Sequence, residues 1–117
     1  MKEILKGLCR VPGVSGAMAV SGDGLLMAAQ TGLGSREAEE TAAAVAGRLG
    51  RSAGAALGRI GWGELKLLVV SGVGGRAALV NAGPGYLVAL LTADANLGLA
   101  KLELGASAVE AGRLMTQ

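Results

Sequence analysis

Between Trp62 and Thr92 the chain passes through three apolar runs, "WGELKLLVVS", "RAALVNA" and "YLVALLT", with only "GVGG" and "GPG" between them. This spacing constrains the fold more than any other feature. Parallel neighbours need a crossover of about a dozen residues or more, and neither connector comes near that length. The three runs are therefore strands of an antiparallel sheet. In the first, Glu64 and Lys66 alternate with Leu65 and Leu67, the period of two of a strand with one wet face. An earlier pair, "VSGAMAV" and "LLMAAQ", is joined by "SGDG" at residues 21–24, a further hairpin signal.

Three helices complete the pattern. "MKEILKGLCR" carries Ile4, Leu5, Leu8 and Cys9 at helical spacing and stops at Pro12 and Gly13. The long segment "GLGSREAEETAAAVAGRLGRSAGAALGRIG" has Ser35 to cap it, Glu37, Glu39 and Glu40 in its first turns, and Arg48, Arg51 and Arg59 later, an order that suits the helix dipole. The last helix opens at Asp94 or Asn96 and runs through "LGLAKLELGASAVEAGRLMTQ". The element order is α-β-β-α-β-β-β-α. It predicts an α+β sandwich, a five-stranded antiparallel sheet with helices on its faces. No linker or internal repeat interrupts residues 1–117, which read as one domain.

On a wheel of about 100° per residue, Ala38, Ala42, Val45, Leu49, Ala53, Ala56 and Ile60 form one apolar stripe of the long helix. The spacing predicts that this stripe faces the sheet. Beside it runs a strip of Ala43, Gly47, Gly50, Gly54 and Gly58. Each interior helix glycine costs about 1 kcal/mol relative to alanine, so the strip is expected to let a second backbone approach. A second copy of the chain is the simplest such partner; the alternative is that the strip reflects a chain with 21 glycines overall. The third strand is expected at the sheet edge, paired with its own copy about a two-fold near Leu65, which would set Glu64 opposite Lys66. Arg36, Glu37, Glu40, Arg48 and Arg51 lie on the opposite arc, where mixed charge suits a docking protein or a solvated face.

The catalytic inventory is thin. With no His, the commonest general base and metal ligand is missing, and the lone Cys9 supports neither a disulfide nor a cysteine metal cluster. Gly72, Gly74 and Ala77 match G-x-G-x-x-A, with Asp94 beyond them. That fingerprint needs a helix starting at the glycines, whereas a strand-like segment follows Arg76. The stretch reads as a hairpin turn with glycine supplying positive φ; a nucleotide-dependent enzyme using Gly72–Ala77 is the remote alternative. No Lys-Ser or Lys-Thr phosphate loop and no carboxylate pair at useful spacing appears. Scattered charge, net +2, argues against nucleic acid. "NAGPGY" breaks the uncharged stretch from Ala77 to Ala93, arguing against membrane insertion. No secretory leader is read, and a cytoplasmic protein without cofactor or metal is expected.

Three segments, "RVPGVSGAMAVSGDGLLMAA" at 10–29, the long Ala-rich helix, and "TADANLGLAKLEL" at 92–104, resemble the Roadblock/dynein light chain family, closest to its bacterial MglB-like members. The resemblance spans nearly the whole chain, which is near the minimal domain of that family. It implies a profilin-like sandwich, with the second helix on one sheet face and the terminal helices on the other. It implies dimerisation through that helix and the third strand. It also implies a non-catalytic role, binding a small Ras-like GTPase as regulator, GTPase-activating protein or scaffold; a structural adaptor with no effect on hydrolysis is the alternative.

Overall fold

The connectors decide the topology. In the computed structural model, which describes residues 1–116, β1 (Val14–Ser21) turns into β2 (Leu26–Gln30) through the "SGDG" hairpin, where the Ser21 hydroxyl accepts from the Leu25 N–H at 3.0 Å. β3 (Leu67–Gly72), β4 (Gly75–Ala82) and β5 (Gly85–Leu91) follow as two tight hairpins, closing at the pairs Gly72–Gly75 and Ala82–Gly85. All pairings are antiparallel, and the spatial order is β2-β1-β5-β4-β3. The first and last strands of the chain thus meet in the centre, and β2 and β3 are the two edges.

The helices are α1 (Lys2–Cys9), α2 (Arg36–Arg59) and α3 (Leu97–Met115). Alternation along the strands sends residues to two separate layers. Ala17, Ala19, Ala78, Val80, Leu87 and Ala89 face α1 and α3, which bring Leu5, Leu8, Ala100, Leu104 and Ala111. Met18, Val20, Leu79 and Val88 face α2. The terminal helices therefore share one face and the long helix takes the other, as the family resemblance implies. So many alanines on the first face let two helices lie close to the sheet at once.

The caps agree with the sequence. The Ser35 hydroxyl accepts from the Ala38 N–H at 3.0 Å, and at α3 the choice falls on Asn96, whose side chain accepts from the Leu99 N–H at 3.2 Å. Asp94 instead accepts the Thr92 hydroxyl at 2.8 Å. α2 ends in a Schellman motif: Gly61 N–H reaches the Gly58 carbonyl at 3.1 Å, and Trp62 N–H reaches the Leu57 carbonyl at 2.9 Å. Gly61 takes φ 75° there, a value that would strain any residue with a Cβ.

One element is shorter than expected. The third strand begins at Leu67 rather than Trp62. Gly61 and Gly63 are both left-handed, which keeps the chain folded back under the end of α2. Leu65 leaves the ladder to bury itself in the α2 layer, 8% exposed. Glu64, Leu65 and Lys66 consequently do not form a strand, and a two-fold pairing centred on Leu65 is not available to them.

Candidate interaction surface

α2 is rotated relative to the wheel. Its buried residues are Ala43, Ala46, Gly47 and Gly50, so the upper part of the small-residue strip faces inward. The reason is the height of what lies beneath. A Cβ on Gly47 would stand 2.5 Å from the Gly24 Cα at the tip of the first hairpin. One on Gly50 would stand 2.6 Å from the Tyr86 ring. Only glycine admits these neighbours. Ala43, Gly47 and Gly50 are thus occupied within the chain and do not offer a surface to a second copy. Gly54 and Gly58 differ, since a Cβ at either meets nothing within 4 Å.

The stripe expected against the sheet is correspondingly turned sideways. Val45 is 53% exposed, Leu49 37% and Ile60 58%. Val45 and Leu49 stand beside the half-covered face of β3 and β4, because α2 lies chiefly over β1, β2 and β5. The result is an apolar groove of ≈ 240 Å³ walled by Val45 and Leu49 on the helix and by Leu68, Val70, Ala77 and Leu79 on the sheet. Every lining residue is apolar.

The groove ends at a bare sheet edge. β3 carries no charged residue, and its ladder with β4 runs without a bulge. β2, at the other edge, has five residues and a register shift at Ala19–Val20. Short length, bulges and charge are the usual protections of an edge; β2 has two of these and β3 none beyond its modest length.

The charged residues divide by use. Arg36 lies 3.9 Å from Glu40, with both side chains mostly exposed, a pair worth little by itself. Glu37 and Arg48 are exposed on the solvent side of α2. Arg51, by contrast, donates to the Gly22 carbonyl at 2.6 Å and ties the first hairpin to the helix. Glu39 receives the Thr31 hydroxyl in the same manner. Sequence spacing groups Arg51 with the free charges because the hairpin tip that it holds is distant in the chain.

Gly72, Gly74 and Ala77 form no nucleotide loop: β4 continues directly from the turn, so no helix N-terminus faces the glycines. Their backbone is not left-handed either, so the expected positive φ is not what selects glycine here. Gly75 is small because a Cβ would lie 2.9 Å from the Leu91 carbonyl oxygen. Burial pushes the Cys9 thiol above its ordinary pKa, and its Sγ lies 3.5 Å from the Gln30 carbonyl. Among the described residues no cluster of three metal-ligating side chains occurs, and no helix is long and apolar enough to cross a membrane.

The comparisons with known proteins agree on one family. The Roadblock/LC7 domain profile matches residues 1–92. A Roadblock/LC7 domain from Streptomyces avermitilis superposes with a TM-score of 0.90 at 22% identity, over 100% of this chain and 98% of that one. The gliding protein MglB from Thermus thermophilus gives 0.82 at 20% identity, over 97% and 86%. An MglB described in a tetrameric arrangement gives 0.84 at 21%, over 97% and 85%. No curated protein sequence matches the chain. With the profile covering most of its length and the sandwich shared throughout, the chain belongs to the Roadblock/LC7 domain family.

Proposed function

We propose that the chain is a non-catalytic, dimeric regulator or scaffold that binds a small Ras-like GTPase. The observation that carries the reading is the uncovered apolar face shared by α2 and β3, ending at an unprotected edge. A second copy related by a two-fold would cover it. The stripe on α2 is self-complementary: about Leu49, an antiparallel pairing sets Ala38 against Ile60, Ala42 against Ala56 and Val45 against Ala53. Such symmetry is what an isologous contact requires. β3 alongside would extend the sheet from one protomer into the other. Membership in the Roadblock/LC7 family, and the likeness to MglB, favour a regulator or adaptor over an enzyme.

In this dimer the solvent sides of both α2 helices share one surface, with Glu37 and Arg48 on it. That surface is the docking site for the GTPase. The reading is tested by capturing GTPases from the native cell on immobilised protein, loading the captured GTPase with a GTP analogue, and titrating it. Arg48→Glu is expected to leave the dimer intact and weaken binding at least tenfold, about 1.4 kcal/mol. Arg51→Glu is unsuitable as a probe, since it would also free the Gly22 hairpin. Undiminished binding by the Arg48 variant would remove this surface from the reading. A GTP-hydrolysis assay on the same pair separates an activator from a scaffold.

A further inference from the structure

Trp62 is the only tryptophan and is 77% exposed. Its position makes that unusual. It is the residue after the left-handed glycine of a Schellman motif, which ordinarily packs back on the last turn of its own helix. Here the backbone bonds of the motif are made, yet the indole stands in solvent. Gly61 and Gly63 on either side are both left-handed, and the Trp62 N–H is bonded to the Leu57 carbonyl at 2.9 Å. Ile60, 58% exposed, precedes it. In the sequence, the apolar stripe of α2 that ends at Ile60 is thus followed two residues on by a large exposed aromatic.

The other end of α2 carries a counterpart. Leu33 is 41% exposed in the loop before Ser35, and Gly32 and Gly34 beside it have open space around them. The two-fold about Leu49 that matches Ala38 to Ile60 brings the end of one α2 to the start of the other. It also brings Arg59, on the solvent edge of the seam, beside Glu37 of the second copy, an opposite-sign pairing. We infer that Trp62 is a trans anchor: in the dimer its indole packs over Leu33 and the first turn of α2 of the second copy, closing both ends of the seam. Exposed tryptophans that become buried at symmetric contacts commonly dominate their energetics. This inference rests on the dimer reading above and assigns it two anchor residues.

A single tryptophan makes the test direct. Oligomeric state is followed by sedimentation across a dilution series while Trp62 emission and its quenching by acrylamide are recorded on the same samples. Association is expected to move the emission to shorter wavelength and to reduce quenching. Leu33→Asp should return the emission of the dimer toward that of a solvated indole, and Trp62→Ala should raise the dimer dissociation constant at least tenfold. A dimer whose tryptophan stays solvated, or whose tryptophan ignores Leu33→Asp, overturns the anchor while leaving the dimer standing. A protein that is monomeric at every concentration overturns both.

Discussion

Gly47 and Gly54 lie about two turns apart on the same helix and call for opposite treatment. A methyl at Gly47 would press on the Gly24 backbone at 2.5 Å. Overpacking of this kind costs about 1–3 kcal/mol, more than the propensity gain of about 1 kcal/mol for alanine over glycine. Gly47→Ala is therefore expected to lower the midpoint of urea unfolding. At Gly54 nothing lies within 4 Å, so only the propensity term remains, and Gly54→Ala should raise stability by up to about 1 kcal/mol. A lowered midpoint for Gly54→Ala would mean that this part of the strip is covered from outside. The sequence displays both glycines on one strip and says nothing of the difference. What separates them is the tip of the first hairpin, which reaches the helix from a distant part of the chain. Local residues such as Ser35 are legible because a cap and its acceptor site lie within one turn.

For the elements, boundaries and order are readable where turn chemistry is local. "SGDG" and "GPG" mark two of the hairpins, and "GVGG" the third, because a strand must reverse where three or four flexible residues separate apolar runs. The start of β3 is less legible. The alternation from Glu64 to Leu67 resembles a strand, but the left-handed Gly61 and Gly63 bend the chain before pairing can begin. The rotation of α2 escapes the helical wheel for a related reason: bulk on a stripe argues for burial, yet burial in a partner satisfies it as well as burial in the sheet. The two edges make this testable. Val70→Lys, at a position 42% exposed, should leave the fold intact and shift the protein toward monomer in sedimentation. Met27→Lys on β2, 46% exposed, should leave association unchanged. Equal effects from both would make the choice of edge wrong.

As a whole, the molecule is a sheet with one finished face and one unfinished face. α1 and α3 together cover the first; α2 alone cannot span the second. The count and direction of strands foretold a sandwich, but the shortfall of one helix against five strands becomes visible only when the strand order places β3 and β4 beyond its reach. The finished layer has a further property. It contains no aromatic residue: Phe is absent from the chain, Tyr86 lies in the other layer and Trp62 lies outside. Aromatic ring currents are what usually scatter methyl resonances of a folded protein, and here most of the packed leucines, valines and alanines are beyond the reach of any ring. Their carbon-bound proton signals should crowd into a narrow band even though the packing is unique, with outliers confined to the surroundings of Tyr86. Near-ultraviolet dichroism should be equally faint in the folded monomer, so a weak tertiary signal from this chain would be a mark of its composition rather than of a molten interior.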